Sequence, residues 1–109
     1  MIAPQSYEEL AAYLEQKERV VFFFTADWCP DCQFIYPFMP EIEADNPDFT
    51  FVRVDRDAFI ELAQKWNVFG IPSFIVAENG KEIGRLVNKQ RKTKAQINTF
   101  LAGLKTHKS

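Results

Sequence analysis

The residues of this sequence best suited to chemistry are its two cysteines, Cys29 and Cys32. They stand three positions apart, so on the first turn of a helix both lie on one face. Two thiols in that arrangement can close a small disulfide ring and open it again. The spacing therefore predicts dithiol–disulfide exchange. A purely structural disulfide is disfavoured, because reducing cytosol keeps ordinary thiols reduced.

The same spacing is also typical of one half of a zinc site. A closed structural zinc site needs four ligands, and the other candidate ligand considered is His107, close to the end of the chain. We therefore expect no metal and favour redox chemistry.

The elements around the cysteines follow from the pattern of apolar residues. Residues 20–24 form an apolar run that is too short for a helix and rich in β-forming residues, which predicts a central strand. After the cysteines, helical spacing resumes, and Pro37 should kink that helix because proline removes a backbone hydrogen bond. The expected buried face of the helix is Ile35, Phe38, Met39 and Ile42.

The remaining chain predicts alternating helices and strands. Ser6 and Glu9 form a capping box at the start of a first helix, which should end at residues 17–19. The later elements are a strand over 49–55, a helix from Asp57 to about Gly70, two strands over 72–77 and 81–87 joined by a hairpin, and a last helix after a solvated basic loop. This order predicts an α/β fold with a mixed four-stranded sheet flanked by helices, and residues 1–3 leave room for a short fifth strand.

Composition indicates a globular protein. Hydrophobic residues make up 47% and aromatic residues 15% of 109 residues, with a net charge of −2. We expect one domain over residues 1–109, a monomer, and no nucleic-acid or membrane partner. The first six residues show neither a basic region nor an apolar signal core, so a cytoplasmic location is expected.

The sequence resembles the thioredoxin family over nearly its whole length. The matching segments are Ala26-Asp27-Trp28-Cys29 with Cys32 (family Ala-x-Trp-Cys-x-x-Cys), the helix-kinking Pro37, Gly70-Ile71-Pro72-Ser73 (family Gly-Ile-Pro-Thr) and the hairpin Asn79-Gly80. The resemblance implies a thioredoxin fold and a cis peptide bond before Pro72 that faces the disulfide. It also implies an activity, the reduction of protein disulfides.

Each site residue then has an expected role. Cys29 is the nucleophile, because the start of a helix stabilises a thiolate, and Cys32 is the less exposed resolving thiol. Pro30 suits the first helical position, where a missing N–H costs nothing. By resemblance, Trp28 shields the disulfide and forms part of the docking surface, with core packing as the plainer alternative. Pro72 keeps metals off the cysteines, and the preceding Ile71 pairs with substrate backbone.

Two departures from the family bear on the mechanism. Pro30-Asp31 replaces the usual Gly-Pro between the cysteines, and the Asp31 carboxylate should disfavour a thiolate on Cys29. It either tunes the site in this way or is simply well placed in a first helical turn. The family's buried acid falls on Phe23, and its lysine partner is expected at Phe51. This leaves Asp31 or water as the candidate acceptor for the Cys32 proton.

The exchange needs no bound cofactor, since the redox-active group is the Cys29–Cys32 disulfide itself. Its expected partners are disulfide-containing protein substrates and, by resemblance, an NADPH-dependent flavoprotein, thioredoxin reductase. Two alternatives stay open at this point. One is a dedicated reductant of a single partner enzyme, and the other is a thioredoxin-like adaptor that binds without turnover.

Overall fold

The computed structural model describes residues 1–16 and 18–105, which form five helices and four strands. The strands are β1 (Arg19–Thr25), β2 (Phe49–Asp55), β3 (Ser73–Glu78) and β4 (Lys81–Leu86). The helices are α1 (Tyr7–Leu14), α2 (Pro30–Ile35), α3 (Met39–Asp45), α4 (Ile60–Lys65) and α5 (Lys94–Lys105), with a 3₁₀ turn at Tyr36–Phe38.

The strands form one mixed four-stranded sheet, as predicted, and its strand order is β2-β1-β3-β4. Strand β1 is parallel to β2 and antiparallel to β3, and β3 and β4 form an antiparallel hairpin. The hairpin turns at Asn79 and Gly80, both with positive φ, which is the conformation that this residue pair favours. The predicted N-terminal strand is reduced to a single parallel bridge between Ile2 and Val52.

Strand β1 lies at the centre of the core because it is apolar on both faces. Its even-numbered residues, such as Phe22, pack with apolar residues of α1 and α4 on one side of the sheet. Its odd-numbered residues, such as Phe23, pack with α2, α3 and α5 on the other side. Both phenylalanines are fully buried, and Phe23 stacks on Phe74 of β3 at 5.0 Å. The end of β1 is therefore held rigidly, and the cysteines come directly after it.

The structure corrects the bounds of two predicted helices. Helix α1 ends at Leu14 rather than at residues 17–19, and Arg19 already belongs to β1, while Lys17 lies outside the described residues. Helix α4 begins at Ile60 rather than at Asp57, and it ends at Lys65 rather than near Gly70. The Asp55 carboxylate accepts hydrogen bonds from the backbone N–H groups of Asp57 and Ala58, which holds these residues in a turn.

The helix after the cysteines is interrupted at Pro37, as predicted. A 3₁₀ turn separates α2 from α3 there, and the changed phase affects one residue of the expected buried face. Ile35, Met39 and Ile42 are buried, whereas Phe38 is 40% exposed. The prediction that Phe38 packs in the core is wrong.

Gly70, which precedes Ile71, packs against the segment after β4 so closely that no side chain fits. A Cβ atom at this position would lie 2.5 Å from the backbone oxygen of Asn88 and 2.8 Å from the backbone nitrogen of Lys89. These are backbone atoms, which cannot rotate away. The close approach fixes the segment around residue 88 against the loop that carries Ile71.

We expect Gly70→Ala to lower the free energy of unfolding by about 1–3 kcal/mol through overpacking. Gly103→Ala is the matched control, because its Cβ would meet nothing within 4 Å and alanine suits a helix better than glycine by up to about 1 kcal/mol. Urea unfolding of both variants measures the difference. Equal stabilities of the two variants would contradict the close packing described here.

Candidate active site

Cys29 is the N-cap residue of α2. After β1 ends at Thr25, a short turn delivers Cys29 in an extended conformation, with φ −88° and ψ 114°. Its sulfur accepts a hydrogen bond from the backbone N–H of Cys32 at 3.3 Å. Pro30 occupies the first helical position, as predicted, where no hydrogen bond is lost. The Cys29 sulfur therefore takes the place that a serine or aspartate side chain fills at many helix starts.

The two thiols differ in exposure. Both cysteines are free, with Cys29 5% and Cys32 1% exposed. Burial and, next, the hydrogen bond with Cys29 raise the pKa of Cys32 to about 11 from an ordinary value of 9.0. Hydrogen bonds from the Thr25 side chain and the Ala26 backbone oppose this rise in the pKa. Cys32 is thus the inner thiol and is held neutral, while Cys29 lies nearer to the surface.

The loop before β3 forms the opposite wall of the site. The Ile71–Pro72 peptide bond is cis, and the carbonyl oxygen of Ile71 lies 3.8 Å from the Cys29 sulfur, within reach of a weak hydrogen bond from the thiol. Ile71 packs against both cysteines and Ala26, while Pro72 is buried. The Ser73 hydroxyl donates a hydrogen bond to the carbonyl of Gly70 and so holds this loop to β3.

Trp28 lies on the surface beside Cys29 rather than in the core. Its side chain is 60% exposed, so the alternative that it serves simple core packing is wrong. The indole N–H donates to the Asp57 carboxylate at 2.6 Å, and the guanidinium of Arg56 lies over the ring at 5.2 Å. These contacts hold the ring in one orientation while leaving its outer face accessible.

Asp31 forms an ion pair that the sequence did not predict. Its carboxylate accepts a hydrogen bond from Arg91 at 3.0 Å, and the Arg91 guanidinium also lies over the ring of Phe34 at 4.3 Å. The positive charge of Arg91 offsets part of the negative charge that Asp31 brings to the cysteine motif. Asp31 is therefore oriented by Arg91, whereas the Cys32 thiol forms a hydrogen bond with the Thr25 side chain.

The strand register pairs Phe23 with a basic residue of β2. Phe51 is paired with Val21, and the residue across from Phe23 is Arg53. Phe51 itself is buried in the same apolar cluster as Phe23. The Arg53 side chain pairs with the Asp27 carboxylate at 2.9 Å.

Sequence reasoning missed three residues that contact or face this site: Thr25, Arg91 and Lys92. Thr25 was given no role, although a polar residue directly between the apolar strand and the cysteine turn is a usable signal, and the structure shows it to be buried. Arg91 and Lys92 were expected in a solvated loop, and no local pattern indicates that this loop folds back over the cysteines.

Metal binding finds no support in the part of the chain that the structure describes. Residues 1–16 and 18–105 contain no group of three or more histidine, cysteine, aspartate or glutamate side chains placed to hold a metal ion. His107, the other zinc ligand considered, lies outside the described residues.

Comparisons with known proteins agree on the family. The thioredoxin family model matches residues 1–102. Thioredoxin H-type 1 of Nicotiana tabacum is 36% identical over 78 residues, 72% of this chain and 62% of that protein. Mitochondrial thioredoxin-2 of Schizosaccharomyces pombe is 28% identical over 95 residues, 87% of this chain and 71% of that protein.

A solved structure agrees over almost the entire fold. The crystal structure of thioredoxin from Trypanosoma brucei brucei superposes with a TM-score of 0.87 at 26% identity, covering 98% of this chain and 92% of that chain. The chain spans about three-fifths of the length of the tobacco relative. The predicted thioredoxin fold is confirmed, and with its two cysteines at the start of α2, this chain belongs to the thioredoxin family.

Proposed function

We propose that this protein is a thiol–disulfide oxidoreductase that reduces disulfide bonds of other proteins, with Cys29 as nucleophile and Cys32 as resolving thiol. The observation that carries the proposal is the hydrogen bond from the Cys32 backbone N–H to the Cys29 sulfur. A negative charge forming on this sulfur at the start of α2 is stabilised by that N–H group and by the positive end of the helix. Membership of the thioredoxin family supports the same activity.

In the first step, the Cys29 thiolate attacks one sulfur of a substrate disulfide. An S–S bond forms between Cys29 and the substrate, the substrate S–S bond breaks, and the leaving substrate sulfur takes up a proton. Since Cys29 is the more exposed of the two cysteines, it is the thiol that an incoming disulfide can reach.

In the second step, Cys32 loses its proton and attacks the Cys29 sulfur. The intramolecular disulfide forms, the mixed disulfide breaks, and the second substrate thiol is released with a proton. The high pKa of Cys32 keeps this thiol neutral until the mixed disulfide is in place. The hydrogen bonds from Thr25 and Ala26 to its sulfur then favour the thiolate that must form.

The substrate would dock on the surface that surrounds Cys29. Trp28 is exposed beside it, and Phe69, immediately before the Gly70–Pro72 loop, is 63% exposed. Both are large exposed apolar side chains on the two segments that form the site, which suits an extended segment of an unfolded or flexible protein. We assign Ile71 to pairing with the substrate backbone and Pro72 to the wall that faces the disulfide.

Turnover requires an external electron donor, because each cycle leaves Cys29 and Cys32 oxidised. The proposed donor is an NADPH-dependent flavoprotein, thioredoxin reductase, and no cofactor need be bound to this chain. In the described residues, no helix is long and apolar enough to cross a membrane. We propose a cytoplasmic monomer that serves cellular redox homeostasis, although its relatives include a mitochondrial thioredoxin.

A dedicated role with one partner enzyme is the second candidate function. The observation that favours it is the pair of Asp31 and Arg91 beside the cysteines, since Arg91 reaches the motif from another part of the chain. Charged groups fixed next to the nucleophile discriminate between substrates by their charge.

Trapping of the mixed disulfide tests the assignment of the two cysteines. Cys32→Ser should accumulate a mixed disulfide with a denatured test protein whose single cysteine is bound to glutathione, because Cys29 displaces glutathione as a thiol and the resolving thiol is missing. Cys29→Ser is the matched control and should trap at least tenfold less. Mass spectrometry of the complexes under non-reducing conditions measures both. Equal trapping by the two variants would contradict the assignment of Cys29 as nucleophile.

The ionisation of Cys32 provides a second test. Because burial disfavours its thiolate, the thiol should stay protonated through the physiological range and ionise only as the pH approaches about 11. The ¹³C chemical shift of the Cys32 Cβ atom, followed by NMR from pH 6 to pH 11 in the reduced protein, measures this directly. A Cys32 thiolate that is complete by pH 8.5 would be inconsistent with the buried site.

A further inference from the structure

Lys92 is buried, although it lies in a segment expected to be a solvated loop. Its exposed fraction is 2%, whereas Lys89, Gln90 and Arg91 on the same loop are exposed. Lysine is almost never fully buried unless its charge is compensated. A lysine that is buried while its neighbours reach solvent therefore calls for a physical explanation.

The ammonium group of Lys92 uses all of its hydrogen-bond donors within the loop. Its Nζ atom donates to the Asn88 carbonyl at 3.0 Å, to the Asn88 side-chain oxygen at 2.7 Å and to the Gln90 carbonyl at 2.6 Å. An ammonium group has three N–H donors and no acceptor, so these three oxygens match the protonated form. This arrangement holds a positive charge in place and leaves no lone pair to accept the Cys32 proton.

The loop that carries Lys92 is fixed against the cysteine site from several sides. The Asn88 carbonyl packs on Gly70, next to Ile71, whose own carbonyl faces the Cys29 sulfur. On the C-terminal side of Lys92, Thr93 and Gln96 exchange hydrogen bonds at the start of α5. Lys92 is thus held between a wall of the redox site and a capped helix.

The geometry of the loop brings the Lys92 ammonium beside the redox site, because the Asn88 carbonyl that binds it packs on Gly70, next to Ile71, and Arg91, the residue before Lys92, pairs with Asp31 between the two cysteines. Burial lowers the pKa of Lys92, while electrostatic interactions with Cys32, Asp31 and Cys29 oppose that lowering. Arg91 already pairs with the Asp31 carboxylate, so Asp31 is not left to neutralise Lys92 alone. Phe23 of strand β1, below the site, is apolar and supplies no acid that could pair with Lys92.

We propose that Lys92 is a positioning residue of the redox site, a fixed buried cation that stabilises the negative charge formed on the cysteine sulfurs during exchange. The inference rests on the proposed function. A cation near the sulfurs lowers the free energy of the reduced, thiolate-bearing form, while the neutral disulfide gains nothing. Lys92 therefore shifts the equilibrium of the pair towards the reduced form.

Two substitutions separate the charge of Lys92 from its role in folding the loop. Lys92→Gln removes the charge and keeps an N–H donor for the loop carbonyls, whereas Lys92→Met removes both. Lys89→Met is the matched control, because it removes a positive charge from the same loop at an exposed position. The measurement is the equilibrium constant of each protein's cysteine pair against glutathione at pH 6, 7 and 9.

Lys92→Gln and Lys92→Met should both favour the disulfide by about threefold to tenfold at pH 9, with a smaller effect at pH 6, where fewer thiols are ionised. A tenfold change corresponds to about 30 mV in the potential. Lys89→Met should stay within twofold of the unsubstituted protein. If Lys92→Met does not fold, Lys92→Gln carries the test.

An equilibrium constant for Lys92→Gln that equals that of the unsubstituted protein, or a change of the same size at every pH, would overturn the proposal. Lys92 would then serve only to hold the loop in its conformation. Failure of the proposed function is a distinct outcome, because the unsubstituted protein itself would then form no reversible disulfide.

Discussion

The hydrogen bond between the Cys32 backbone N–H and the Cys29 sulfur is the contact on which the site depends. It exists because α2 begins at Pro30, one residue after Cys29, so the nucleophile serves as the cap of the helix. The same helix carries Cys32 one turn inward, where burial keeps it neutral. One local arrangement therefore places one thiol at the start of the helix and buries the other, which is what the two proposed roles require.

The strand that precedes the cysteines, β1, holds this arrangement rigid. Strand β1 is buried on both faces and is paired on both edges, so its end cannot shift. The kink at Pro37 lets α2 and α3 each bury apolar residues against the sheet. On the open side, the contact between Gly70 and Asn88 brings the loop before β3 and the loop before α5 together beside the sulfurs.

The charges at this site differ from what the family resemblance alone implies. Phe23, where the resemblance implies a buried acid, is apolar, and Arg53 across from it pairs with Asp27 at the surface. Positive groups come instead from the loop before α5, where Arg91 meets Asp31 and Lys92 is buried. The cations beside the cysteine motif therefore come from a loop that is distant from it in the chain.

Much of the fold could be read from the sequence, because its signals are local. The apolar run of β1, the capping box at Ser6, the Asn79-Gly80 turn and Pro37 each act within a few residues. The cysteine spacing located the redox pair for the same reason. The first and last residues of the helices were less predictable. The Asp55 side chain, for example, holds the residues after it in a turn, so that α4 begins only at Ile60. Lys92 and Arg91 could not be placed, because their partners are distant in the chain and only the folded loop brings them together.

The reduction potential of the Cys29–Cys32 pair tests the central claim most directly. It is obtained by equilibrating the protein with glutathione buffers of known ratio and quantifying the two redox forms. We predict a reversible disulfide with a potential between about −270 and −200 mV, the range of thioredoxins and glutaredoxins. A potential above about −200 mV would make reduction of ordinary disulfides unfavourable and would contradict the reductase assignment. The absence of any reversible disulfide would contradict redox chemistry altogether.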